Sequence, residues 1–341
     1  MLFRSVFRLA PDDHVWLLCS HPVVLDGTSR DLLFDQLLAT YGALREGGPA
    51  PPGPPEQDFF DMIASHRSWA GDADPALLLA SVTERLAGAT PLPLTGDRPR
   101  APVKSYRGTR RAWPMPPDVL RAVGAIGERE GVTLYICHLA ALCALLSHYT
   151  GRPDVTVTTV LSTRERVAGG EVPTAAAQAG VFVNPVLLRC RWEGDITFAA
   201  LLRLARSATL DAQHQKDVPV TEVLRALGWA GGALPPLVGQ INLSAGTPPV
   251  DGRSGAGLEV EGLPRTGIKS EGDLGLFALG DPQARIEVQV EYDTDMFDGE
   301  TAERLWHHLR AVLLGAAADT STSLSALLSG VGPLVARGGR S

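Results

Sequence analysis

The sequence predicts an α/β (α+β) protein of two lobes, and three observations carry that prediction. At 341 residues the chain is longer than one small core organises. Apolar stretches of strand period and of helix period succeed one another with no internal repeat. Two proline-rich crossings, 47–57 and 89–108, break the chain where neither helix nor sheet can continue. Hydrophobic residues at 45% and charged residues at 20% exclude the disordered and fibrous classes. A net charge of −7 offers nothing to nucleic acid or to an anionic membrane, so the expected partner is a small molecule or a protein.

Residues 2–10 and 14–20 alternate or run apolar about "APDDH", which predicts a hairpin closed on a Pro-Asp turn. Beyond "HPVVLDG" (21–27), Thr28 or Ser29 is placed to cap a helix whose Leu33, Leu37, Tyr41 and Leu44 share one face. Residues 21–27 therefore lie in a strand-to-helix turn. Helices are expected near 58–70 and 75–87. From there the pattern reads strand 107–113, helix 117–130, helix 133–149, strand 154–161, strand 180–190 and helix 197–213. The run "TLYICHLAALCALLSHY" (133–149) is nearly unbroken in its apolarity but short of membrane length, and predicts a core helix carrying His138 and His148. A strand at 236–244, a glycine-rich loop at 245–257, a strand at 285–292 and a last helix at 299–317 complete the reading. The first residues lack the apolar core of a signal peptide, so a cytoplasmic location is expected.

Few residues stand out as chemistry. Cys19, Cys137, Cys143 and Cys190 form no C-x-x-C pair, sit in apolar runs and read as buried thiols. Phosphate-loop, dinucleotide, H-E-x-x-H and G-x-S-x-G motifs are absent from the sequence. His307 and His308, adjacent on a helix, cannot face one metal from the same side and read as surface. His14 belongs to the hairpin, His66 to a solvated helix, and His214 to a polar helix end. His21 differs, because it ends a strand where Asp26 and Gly27 turn the chain into a helix N-terminus, rich in exposed backbone donors.

Taken in order, "HPVVLDG" (21–27), "FFDMIASHRSW", "LTGDRPRAPVKSYRG", "GVFVNPVLLR" (180–189), "QKDVPV" (215–220) and "EYDTDMFDGETAERL" (291–305) resemble the blocks of the condensation domains of nonribosomal peptide synthetases. The resemblance implies two lobes related to chloramphenicol acetyltransferase, with a tunnel between them. Carrier proteins deliver acyl or aminoacyl thioesters to that tunnel, and an amide forms. No metal or dissociable cofactor is implied, since the phosphopantetheine belongs to the carrier proteins. His21, Asp26 and Gly27 match the catalytic motif, with Pro22 in the place of its second histidine. Ser29, Asn184 and Ser244 are assigned to the substrate tunnel.

The chain departs from the family pattern in three ways. Pro22 has no titrating nitrogen and no backbone N–H to donate. The family's first lobe opens earlier than this chain does. Residues 1–103 are therefore expected to form an incomplete N-terminal lobe, 104–341 the C-terminal lobe, and the sheet of residues 2–20 to show an open edge or face. Asp26's usual arginine partner is expected in the opening segment. Finally, Pro185 stands where the family prefers threonine, and Val220-Thr221 replace Phe-Glu. Two functions follow: amide formation between carrier-bound substrates, weak or lost, or a module that binds a carrier protein or recruits a tailoring enzyme.

Overall fold

The computed structural model describes residues 2–52, 74–164, 178–229, 240–242, 257–263, 269–270, 272–281 and 285–335. The chain divides into two compact units. One comprises 1–75, 162–184 and 250–261, and the other 76–161, 185–249 and 262–341. The expected helix at 58–70 and most of the glycine-rich loop lie outside the described residues, as does His66.

In the first unit, β1 (Leu2–Ala10) and β2 (Asp13–Ser20) pair antiparallel about the Pro11-Asp12 turn. The following helix, α1 (Gly27–Arg45), is capped by Asp26, whose carboxylate accepts the Ser29 N–H, and not by Thr28 or Ser29. An aspartate one residue ahead of the first helical position supplies the acceptor those hydroxyls would have supplied. The helix packs through Phe34, whose ring stacks on Trp16 with centroids 5.8 Å apart. Its periodic Leu37, Tyr41 and Leu44 are exposed. Cys19 is exposed as well, which corrects the expectation of a buried thiol, because it lies on the hairpin face turned away from Trp16.

The second unit is built on a six-stranded sheet. Its strands are β3 (Gly108–Pro114), β4 (Asp154–Ser162), β5 (Val183–Arg191), β6 (Gln240–Asn242), β7 (Leu274–Asp281) and β8 (Arg285–Asp293), in the order β3-β8-β7-β6-β4-β5. The β3–β8 and β7–β8 pairs are antiparallel, and β6 runs parallel to both β4 and β7. Alternation puts Ile286, Val288, Val290 and Tyr292 of β8 on the core face together with Leu274, Leu276 and Ala278 of β7. Four helices close that core: α3 (Pro117–Glu130), α4 (Leu134–Thr150), α5 (Phe198–His214) and α7 (Gly299–Ala318). The predicted core helix, α4, is buried continuously from Ile136 to Leu146. Among the described residues no single helix is long and apolar enough to cross a membrane. Among the described residues the helices α2 (Pro75–Arg85), α6 (Val220–Ala226) and α8 (Leu324–Leu327) are short or peripheral.

His307 is exposed as expected, but His308 is partly buried. Its Nδ1 lies 2.7 Å from the Tyr149 hydroxyl, and burial, followed by the charge of Arg304, pushes its pKa down. Neighbouring helical positions point about 100° apart, so α4 covers one histidine and leaves the other in water.

The eroded positions have a physical signature. Val82, Arg85, Pro185, Leu187, Ala212 and Val220 line a cavity of about 20 Å³, room for roughly one water. Val220→Ile, which adds one methylene facing that space, is expected to raise the unfolding free energy by about 0.8 kcal/mol. Urea unfolding checks it, and a loss of stability would show the cavity to be out of reach of position 220.

Candidate functional site

The motif loop leaves β2 at Ser20 and enters α1 at Gly27. The Val24 N–H donates to the His21 carbonyl at 2.9 Å, closing a β-turn over His21–Val24. Pro22 occupies the first central position of that turn, where its fixed φ favours the turn and its missing N–H leaves nothing unpaired. Pro22 thus rigidifies the loop. Within the same turn the Val23 N–H donates to His21 Nδ1 at 3.1 Å. A neutral imidazole that accepts at Nδ1 carries its proton on Nε2. His21 is exposed.

Asp26 is the buried end of the loop. Its Oδ1 accepts the Ser29 N–H at 2.8 Å and Arg164 Nη2 at 2.7 Å, and its Oδ2 accepts the Phe182 N–H at 3.1 Å. Its own N–H donates to the Gly180 carbonyl at 3.0 Å. Ser29 Oγ lies 2.7 Å from both Asp26 Oδ1 and the Gly180 carbonyl oxygen, and accepts the Gly180 N–H at 2.9 Å and Arg164 Nη2 at 2.8 Å. Arg164 Nη1 donates to the Gln178 carbonyl at 2.8 Å, and the guanidinium lies 4.5 Å over the Phe182 ring. The side chains of Arg164 and Asp26 are 9% and 2% exposed, so the pair is out of bulk water. Burial pushes the Asp26 pKa up, but the Ser29 hydroxyl and N–H, Arg164 and the Phe182 N–H outweigh it and hold the carboxyl below its ordinary 3.8.

The arginine partner is therefore on this chain, at Arg164, which corrects the expectation that it belongs to an earlier segment. It lies 138 residues from Asp26 and just past the end of β4, a separation that no local pattern spans. Sequence reading passed over Arg164, Gly180 and Phe182. The one signal was an arginine two residues beyond a β-branched strand.

The other expected residues separate. Gly27 is the exposed first residue of α1, and a Cβ there would meet only Arg30 Nη2, at 3.7 Å. Ser29, expected on a substrate tunnel, is 0% exposed and saturated with partners inside the Asp26 cluster. Asn184 lies partly buried at the start of β5. Ser244 lies outside the described residues. What the loop and the 162–184 segment jointly achieve is a locked conformation.

Residues 1–329 match the family model described as "Condensation domain". A linear gramicidin synthase from Brevibacillus parabrevis is 26% identical over 330 residues, covering 96% of this chain. This chain spans only 6% of that relative's length. The X-domain from teicoplanin biosynthesis, solved in complex with OxyB, superposes with a TM-score of 0.80 at 24% identity, over 96% of this chain and 72% of that one. The first condensation domain of the CDA synthetase superposes with a TM-score of 0.75 at 23% identity, over 95% and 69%. The fold is thus the mixed α/β fold of these domains. By the match along nearly its whole length, and by a motif loop built around Asp26, the chain belongs to the condensation-domain family of nonribosomal peptide biosynthesis.

Proposed function

We propose that this domain holds a partner of the peptide assembly line and does not itself move a proton. The partner is a carrier protein bearing a thioester, or a tailoring protein docked on the same fold. The observation that carries the reading is the motif turn: Pro22 has no titrating group, and His21 spends Nδ1 on the Val23 N–H. A lost acid–base residue typically removes about 10²–10⁴ in rate. The buried Asp26–Arg164 scaffold is kept regardless, as a binding role requires. The teicoplanin X-domain, solved with OxyB, exemplifies this fold in complex with a protein.

The second reading is amide formation driven by proximity alone. It is favoured by the same intact scaffold, because two thioester-bound reactants held together need little more than orientation. The test supplies donor and acceptor carrier thioesters and measures amide product by mass spectrometry. Product is expected no faster than from the carriers alone, with His21→Ala unchanged and Pro22→His giving little recovery. Turnover by the wild-type chain that His21→Ala abolishes would overturn the binding reading. Titration of the loaded carriers with the chain, followed by calorimetry, is expected to show a saturable complex.

A further inference from the structure

Where the end of α4 meets α7, the Tyr149 hydroxyl lies 2.7 Å from His308 Nδ1. Among the described residues that hydroxyl has no other hydrogen-bond partner, so its proton goes to Nδ1 and the ring carries its own proton on Nε2. His148, the neighbour of Tyr149, donates from Nε2 to the Val331 carbonyl at 2.9 Å. On α7, Arg304 stands one turn ahead of His308 on the same face and donates from Nη1 to the Leu334 carbonyl. Residues 328–335 thus form a strap across both helices. Leu328 and Leu334, 7% and 3% exposed, seat it on the core, with Val331 and Val335 packed beside them. The Tyr149–His308 bond joins the two helices between the strap's two anchors.

The anchors hold in acid, and the bond between them does not. Arg304 keeps its charge, and His148 offers its Nε2 proton whether neutral or charged. His308 differs. A proton added at Nδ1 turns an acceptor into a donor facing the Tyr149 hydroxyl, whose own hydrogen is then left without an acceptor in a partly buried place. The new charge is also badly placed. His308 is faced by His148 and Tyr149 from α4 and by Arg304 and His307 from its own helix, and residues 328–335 of the strap have no titrating side chain. Glu303, one turn ahead of His307, is drawn to Arg111 at 3.0 Å and to His307 at 3.8 Å. Burial first, then Arg304, His148 and His307, hold the His308 pKa below 6.5.

We infer that Tyr149 and His308, flanked by the anchors His148 and Arg304, form a proton-operated clasp that holds the strap 328–335 on α4 and α7 while His308 is neutral and releases it in acid. Release bares the seats of Leu328 and Leu334 while the sheet stays folded, a local opening biased by protonation. The sign follows from His308. Lifting the strap returns its ring to water and to its ordinary 6.5, so the open form takes up a proton more readily than the closed one. Each pH unit below 6.5 therefore favours opening by up to about tenfold. The clasp lies wholly within the second unit and is independent of the partner-binding reading.

The test is amide hydrogen exchange of the whole chain at about pH 7.5 and about pH 5.5, each rate divided by that of the unfolded chain at the same pH. The strap reports through the hydrogen-bonded amides of Leu328, Ser329 and Val331. The wild type is expected to lose about tenfold of their protection at the lower pH. His308→Asn keeps an oxygen acceptor near the place of Nδ1 but cannot be charged, and is expected to hold the strap equally at both values. His307→Asn, at the exposed neighbour, is expected to keep the wild-type loss. No loss in the wild type, or an equal loss in His308→Asn, overturns the proposal. Should His308→Asn fail to fold, Tyr149→Phe decides in its place: with no hydroxyl to strand, the loss is expected to shrink, and an unchanged loss overturns the clasp. A loss that His138→Leu abolishes overturns it as well, since the buried core histidine would then be the sensor.

Discussion

Arg164→Ala is expected to lower the unfolding free energy of the first unit by about 3–5 kcal/mol, the usual cost of stranding one charge of a buried pair. The substitution leaves Asp26 ionised with 2% of its side chain exposed, and removes the donor shared by Asp26 and Ser29. It also uncovers the Gln178 carbonyl. Asp26→Asn strands the Arg164 guanidinium in turn and sets an amide N–H against the Phe182 N–H or Arg164, so its cost is expected in the same range even though the amide oxygen can still accept the Ser29 N–H at the helix cap. The double variant is expected to be more stable than the sum of the two single losses, as residues of one network couple. The sign with pH follows from Asp26. Its carboxyl titrates lower when folded than its ordinary 3.8, so its contribution is full above 3.8 and is lost as pH falls through the folded value. The gap between wild type and Arg164→Ala should therefore close in acid. Hydrogen exchange of segments 26–34 and 178–184 is the measurement, and unchanged protection in Arg164→Ala would show that the pair does not hold the loop.

The second large effect is acid lability from the core of the other unit. His138 on α4 is 0% exposed, its Nδ1–H bonds the Leu134 carbonyl at 2.9 Å, and its Nε2 has no partner among the described residues. Burial, opposed only by that one bond, pushes its pKa below 6.5. Below pH 6.5 the unfolded chain therefore takes up a proton that the folded chain refuses, and stability falls with pH until the folded value is reached. The slope from this one group approaches about 1.4 kcal/mol per pH unit. Urea unfolding between about pH 7.5 and 5 is expected to give a steeper fall in the wild type than in His138→Leu, which fills similar space without a lone pair and leaves only the part owed to other groups such as His308. Equal slopes in the two proteins would mean that His138 is not what couples the core to pH.

Periodicity made most of the architecture legible. The hairpin, the helix after the motif and the order of strands and helices from 107 to 213 stand within a few residues of where the apolar pattern puts them. The short helix α6 and strand β7 escaped. In "LGLFALGD" two glycines interrupt the alternation that marks a strand, and its burial comes from β6 and β8 on either side. The capping residue of α1 was misplaced because several oxygen-bearing side chains crowd the same turn.

The sequence carried the resemblance to the family, the place of the motif in a strand-to-helix turn, and a proline without a titrating group at position 22. Folding alone brings Asp26 to Arg164, spends Ser29 on scaffold, and occupies His21 Nδ1 with the Val23 N–H. Hydrogen bonds and desolvation depend on which groups are within about 3 Å and which are sealed from water, and a chain that brings residue 26 to residue 164 writes neither into its local pattern.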